Sequence, residues 1–140
     1  MALQSFGYVI GRAGLASLFI LGGLNKLISG DGTIARLQHA GLEPASLFLW
    51  LTIGLELGAG LALALGTRIA SSAALALAAF TLATNALFHQ FWALEGEIAS
   101  LELSLFFKNV AIAGGLLALA SIEQGALNKS VEANDTKSNS

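Results

Sequence analysis

The sequence predicts an all-α integral membrane protein, a four-helix bundle with a short interfacial helix between its first and second spans. Three observations lead to this prediction. Hydrophobic residues make up 55% of the 140 residues and charged residues only 11%. The mean hydropathy is +0.73, too apolar for a chain this small to hide from water. Four apolar stretches are each near the roughly 20 residues that a helix needs to cross a bilayer.

The first span is predicted over residues 6–28 and the second over residues 45–65. Between them lies a polar connector, which begins with serine and glycine and ends at the only proline. Within it, Thr33 is predicted to cap a short interfacial helix, and Gly41 is predicted to end that helix as its C-cap. The first two spans should therefore be joined by a helix that lies at the membrane surface.

The third span is predicted over residues 69–91, after a tight turn. It carries three polar residues that recur every four positions, Thr81, Asn85 and His89. This spacing places all three on one face of the helix, where lipid would leave them without hydrogen-bond partners. The polar stripe should therefore face the interior of the bundle.

The loop before the fourth span holds Glu95, Glu97 and Glu102 and is predicted to be solvated. The fourth span is predicted over residues 103–122 and completes a transmembrane domain of residues 1–122. Residues 123–140 are polar and lack aromatic residues, which predicts a disordered tail. With four spans, both termini lie on one side of the membrane. That side holds the greater share of lysine and arginine, which by the positive-inside rule predicts cytoplasmic termini.

Composition also limits the chemistry available to the chain. It has no cysteine, so it forms no disulfide and performs no thiol chemistry. The net charge is −2 and no basic cluster is present, so nucleic acid is not an expected partner. No haem-attachment motif, dinucleotide-binding glycine pattern or metal-ligand spacing occurs, because His39 and His89 lie on different segments. The sequence therefore predicts no metal site, haem or flavin.

A series of short motifs follows in order along the chain. They are an arginine followed by F-x-x-x-G and a lysine, then G-x-x-P, E-x-x-x-G, G-x-R-x-A, a histidine, F-x-K-N and a glycine pair. The positions are Arg12, Phe19, Gly23, Lys26, Gly41, Pro44, Glu56, Gly60, Gly66, Arg68, Ala70, His89, Phe106, Lys108, Asn109, Gly114 and Gly115. In this order and spacing the chain resembles the DoxX family of small four-helix membrane proteins.

The resemblance implies a four-helix fold and a location in the bacterial cell (inner) membrane. The family takes its name from a subunit of a thiosulfate:quinone oxidoreductase, and other members are associated with redox and oxidative-stress complexes. It therefore implies a membrane component of a redox system, with a quinone or a partner redox protein carrying the electrons.

Ionisable residues inside the predicted spans mark the candidate site. An ionised carboxylate at the centre of a span costs roughly 2.5–3.5 kcal/mol unless a partner receives it. Glu56 lies near the middle of the second span, and we predict that it pairs with Arg12. Lys26 is predicted to extend to the membrane surface instead. The candidate ligand-binding residues are Arg12, Glu56, Asn85, His89 and Lys108.

These residues predict an electropositive interior that suits an anionic or carbonyl-bearing guest. A quinone fits because its ring is apolar and its oxygens need donors such as His89 or Lys108. The leading hypothesis is a component that binds a quinone-like or small anionic molecule, and whether it has enzymatic turnover stays open. The alternatives are a transporter or channel for a small solute and a non-catalytic anchor for partner proteins. In a purely structural interpretation the charges hold helices in register, or face a second copy in a homo-oligomer.

Overall fold

The computed structural model describes residues 2–138 and contains helices but no strand in that range. A bilayer offers no water to unpaired backbone groups, so apolar segments of this length satisfy them within helices. The helices are α1 (Ala2–Ile28), α2 (Asp31–His39), α3 (Ala45–Leu65), α4 (Ala70–Phe88) and α5 (Gly96–Ser138), with a short 3₁₀ helix at Phe91–Ala93. The predicted all-α fold is confirmed, including the short helix between the first two spans.

Four helical segments are long and apolar enough to cross a membrane: Phe6–Ile28, Ala45–Leu65, Ala70–Ala93 and Gly96–Glu132. Each is packed against its neighbours in the chain, and α5 returns to contact α1. This is an up-and-down bundle in which successive spans are adjacent. We call the end that carries α2 and the 3₁₀ helix the α2 end, and the opposite one the terminal end.

Small residues let the helices approach closely. The buried core joins all four spans and consists of Ala16, Phe19, Leu63, Ala70, Ala74, Leu77, Ala78, Ala113, Leu116, Leu119 and Ala120. The backbones of α1 and α3 come close together at Gly60, where an added Cβ would lie 3.0 Å from the Ile20 side chain and 3.5 Å from the backbone oxygen of Ala16. Apolar side chains gain nothing from leaving lipid for one another, so such close backbone packing is what holds membrane helices together.

Two helices end at glycines, and one of these, Gly41, is the predicted C-cap of α2. Gly41 has φ of 73° and follows α2, while Gly66 has φ of 62° and follows α3. At each end the following amide completes a Schellman motif, with Leu42 bonded to the carbonyl of Leu37 in the first case. The predicted cap at Thr33 is wrong: α2 begins at Asp31 after Gly30, so Thr33 lies inside its first turn.

Helix α5 differs most from its predicted bounds. It begins at Gly96 instead of near residue 103, so Glu97 and Glu102 of the predicted solvated loop are helical, whereas Glu95 precedes the helix. It also continues to Ser138, whereas the sequence predicted a disordered tail over 123–140, of which residues 139 and 140 lie outside the described residues. Once a helix is formed each added residue gains a backbone bond at little cost, and no proline interrupts this one.

The contact at Gly60 predicts a sharp difference between two glycines on one helix. We expect Gly60→Leu to lower the free energy of unfolding by about 1–3 kcal/mol or more, because the side chain must displace α1. Gly58 is exposed and an added Cβ there meets nothing within 4 Å, so Gly58→Leu is the matched control. Unfolding in mixed detergent micelles would measure both. Equal losses for the two variants would contradict the close α1–α3 contact.

Candidate functional site

A lysine–glutamate pair lies inside the bundle near the α2 end. The Nζ atom of Lys26 on α1 donates to both carboxylate oxygens of Glu56 on α3, at 2.9 and 2.8 Å. Only 8% of the Glu56 side chain and 23% of the Lys26 side chain are exposed. The partner that an intramembrane carboxylate requires is therefore Lys26.

Local geometry explains why Lys26 reaches inward. Side chains on a helix lean toward its N-terminus, so a lysine in the last turn of α1 points back toward the middle of the bundle. Glycines at positions 22 and 23 leave room for the carboxylate, since a Cβ at Gly22 would lie 3.5 Å from both Glu56 oxygens. The prediction that Lys26 extends to the membrane surface is wrong, because a deeper acceptor is within its reach.

Arg12 belongs to a different group, at the terminal end. Its Nη1 atom donates to the Tyr8 hydroxyl at 3.0 Å and lies 3.5 Å from Oε1 of Glu123. Tyr8 in turn donates to Glu123 at 2.5 Å. The predicted pairing of Arg12 with Glu56 is wrong, because fourteen residues of helix, about 21 Å, separate Arg12 from Lys26. We call Tyr8, Arg12 and Glu123 the terminal cluster.

The terminal cluster also accounts for the glycine that ends α3. The Arg12 guanidinium lies directly against Gly66, in the space that a Cβ would fill. Gly66 is also in the left-handed region, where a side chain is strained. Two independent constraints, conformation and space, therefore require glycine at this turn.

The polar stripe of α4 faces α5, which confirms that it points into the bundle. Asn85 is 1% exposed, donates to the carbonyl of Phe106 at 3.1 Å and accepts from Asn109 at 3.1 Å. Nδ1 of His89 lies 2.6 Å from Oε2 of Glu102. Asn85 and His89 therefore pair with one face of α5, whereas the Thr81 hydroxyl donates to the carbonyl of Leu77 on its own helix at 2.7 Å.

Glu102 was missed by the sequence interpretation, which placed it in a solvated loop. The signal was present, because Glu102, Phe106 and Asn109 follow the i, i+4, i+7 pattern of one helical face. Lys108 is next to Asn109 in sequence and therefore points elsewhere: it is exposed, and within residues 2–138 it has no hydrogen bond or ion pair. The structure does not bring Lys108 to the other predicted site residues.

A cavity of about 430 Å³ lies at the α2 end beside the lysine–glutamate pair, and we call it the inner cavity. It is lined by residues of α1, α2, α3 and α4 and by Leu42 in the loop after α2. Its lining consists of Lys26, Thr33, Arg36, Leu37, Leu42, Phe48, Thr52, Glu56, Phe80, Ala83, Thr84, Leu87, Phe88 and His89. The lining is mostly apolar, with a few polar groups at fixed points, as small-molecule sites usually are.

A second cavity of about 700 Å³ lies between α2, α4, the 3₁₀ helix and α5, and we call it the outer cavity. It is more polar, since its lining includes His39, Gln90 and Glu102. Four residues border both cavities: Arg36, Leu87, Phe88 and His89. The two cavities are therefore neighbours across a shared wall.

Several polar groups on the inner cavity are unused by the protein. A lysine ammonium has three N–H groups, and Lys26 uses two on Glu56. Thr52 and Arg36 form no hydrogen bond or ion pair within the described part of the chain. Because Lys26 and Glu56 offset each other, Arg36 leaves the lining with one net positive charge. The predicted electropositive interior is present only in part, because Glu56 offsets the charge of Lys26 and Arg36 is an exposed residue of α2. Arg12 and Lys108 do not line the inner cavity.

Fold and site together define a small four-span membrane protein with a paired charge at a cavity inside the bundle. The DoxX family model matches residues 7–90, which include Arg12, Lys26, Glu56 and His89. The chain belongs to the DoxX family.

Two curated relatives from Escherichia coli (strain K12) cover nearly the same length. The inner membrane protein YqjF is 38% identical over 124 residues, which are 89% of each chain. The inner membrane protein YphA is 29% identical over 119 residues, 85% of this chain and 84% of its own. No solved structure gives a significant match.

The corrected pairing predicts how substitutions combine. We expect Lys26→Met and Glu56→Gln each to lower the free energy of unfolding by about 3–5 kcal/mol, because each removes one member of a buried pair. In the double variant the loss should be clearly smaller than the sum.

Arg12 supplies the matched control for this cycle. Arg12→Met and Glu56→Gln should add within about 0.5 kcal/mol, because the two residues share no partner. Reversible unfolding in lipid–detergent mixtures would measure both cycles. Coupling of Glu56 to Arg12, with none to Lys26, would contradict the structure.

Proposed function

We propose that this protein is an inner-membrane component of a redox or oxidative-stress system that binds a quinone-like molecule in its inner cavity. The observation that carries the proposal is the Lys26–Glu56 pair, which leaves one ammonium N–H unused beside an aromatic-lined cavity. Family membership supports the redox setting through the thiosulfate:quinone oxidoreductase that gives the family its name.

The size and lining of the inner cavity support a guest of this kind. Its volume of about 430 Å³ is typical of small-molecule sites. Phe48, Phe80 and Phe88 offer aromatic surfaces to a flat ring. The third N–H of Lys26 and the hydroxyl of Thr52 can donate to a ring oxygen. A guest with an apolar ring and polar oxygens would therefore satisfy both parts of the lining.

Apolar wall residues support entry from the lipid. Ala83 and Leu87 on α4 border the inner cavity and are exposed. A quinone dissolved in the bilayer can approach such a wall without crossing water. An anionic guest remains the related candidate, since the lining has one net positive charge. We propose the quinone-like class because aromatic side chains outnumber the free cations.

Packing between the two polar ends supports binding more than passage through the membrane. Residues between the lysine–glutamate pair and the terminal cluster include Phe19, Leu63, Leu77 and Leu116, all nearly or fully buried. A polar solute would have to cross this apolar layer. The proposal therefore places the guest at the α2 end, with partner redox proteins supplying or taking electrons, because the chain has no cysteine of its own.

The hydroxyl of Thr52 provides a specific test with 2-methyl-1,4-naphthoquinone as ligand and the full chain in lipid nanodiscs. Thr52→Val keeps the shape and removes a hydroxyl that no described residue uses. We expect the Kd to rise about 2- to 10-fold, the value of one hydrogen bond. Quenching of tryptophan fluorescence would measure binding.

Thr81 on α4 is the matched control, because it is buried but does not line the inner cavity. Thr81→Val should leave the Kd unchanged. The absence of saturable binding to the wild-type protein, or equal effects of the two variants on the Kd, would overturn the proposed site. The alternative of a non-catalytic anchor for partner proteins would then be favoured.

A further inference from the structure

The two ring nitrogens of His89 have different surroundings. Its ring borders both cavities, and its Nδ1 atom lies 2.6 Å from Oε2 of Glu102. Its Nε2 atom has no hydrogen-bond partner within residues 2–138. The His89 side chain is 20% exposed and the Glu102 side chain is 22% exposed, so this pair is mostly buried in the wall between the two cavities. Nε2 is therefore the atom of His89 that a guest can meet.

Glu102 determines what Nε2 presents. An ionised carboxylate only accepts hydrogen bonds, so the nitrogen that contacts it must carry a proton. In a neutral imidazole the other nitrogen then has a lone pair and accepts. A quinone carbonyl also only accepts and would oppose this lone pair. A hydroquinone or phenol hydroxyl would donate to it.

We infer that Glu102 is a positioning residue that makes His89 an acceptor, so that the site selects the hydroxyl-bearing, reduced form of an aromatic guest. The inference rests on the proposed function, because it concerns the same guest. The other hydroxyl oxygen of a hydroquinone can still accept the third N–H of Lys26. The reduced form therefore satisfies both polar groups, whereas the oxidised form satisfies only Lys26.

The test compares two ligands that differ only in redox state, 2,3-dimethyl-1,4-naphthoquinone and 2,3-dimethylnaphthalene-1,4-diol. Each is titrated under argon into the full chain in nanodiscs. Near neutral pH we expect the diol to bind about tenfold more tightly than the quinone. A hydroxyl of the diol donates a hydrogen bond to Nε2 of His89, whereas a quinone carbonyl would place its lone pair against that of Nε2.

Glu102→Gln is the decisive variant. A glutamine amide can accept from or donate to Nδ1, so it stabilises either tautomer and the preference should fall toward unity at neutral pH. Glu97→Gln removes the same charge from an exposed residue of α5 that lines neither cavity, and it should keep the wild-type preference. Circular dichroism confirms that each variant is folded.

The outcomes separate the inference from the proposed function. Equal affinity of the wild-type protein for the two ligands, or equal effects of Glu97→Gln and Glu102→Gln on the preference, would overturn the role of Glu102 and leave the inner cavity as a quinone site. Saturable binding of neither ligand would overturn both.

Discussion

The bundle depends on one constraint, that a carboxylate buried in the membrane-spanning part of a protein must have a cation beside it. Lys26 meets this need for Glu56, and doing so fixes how α1 and α3 lie against each other. The glycines at positions 22, 23 and 60 bring the two helices close enough for the contact. Loss of any of these would leave either a charge without a partner or a side chain without space.

The polar groups of the bundle form two sets. Asn85 uses its amide on α5, and Ser71 donates to the carbonyl of Ala120 at 2.9 Å. Beside the inner cavity, by contrast, Lys26, Thr52 and His89 keep donors or acceptors that no described residue uses. Groups of this kind are what a ligand can satisfy, so the stripe on α4 is structural at Asn85 and available at His89.

Much of the fold follows from the sequence, because bilayer thickness fixes helix length and glycine fixes the turns. The second span, 45–65, has the bounds that hydropathy predicts. Pairing of charges does not follow in the same way. Hydropathy gives the depth of Arg12, Glu56 and Lys26 along their helices, but which helix face meets which depends on small-residue packing across the bundle. Glu102 was missed because acidic residues after a glycine resemble a loop, although they continue a helical face toward His89.

The length of α5 has a mechanical consequence. Its 43 residues extend about 64 Å, roughly twice the hydrocarbon thickness of a bilayer. The helix is held where it passes Arg12 and Tyr8, through Glu123. Beyond Glu123 the helix continues to Ser138. A displacement of this segment would therefore act first on the terminal cluster and next, along α5, on Glu102 and its contact with His89.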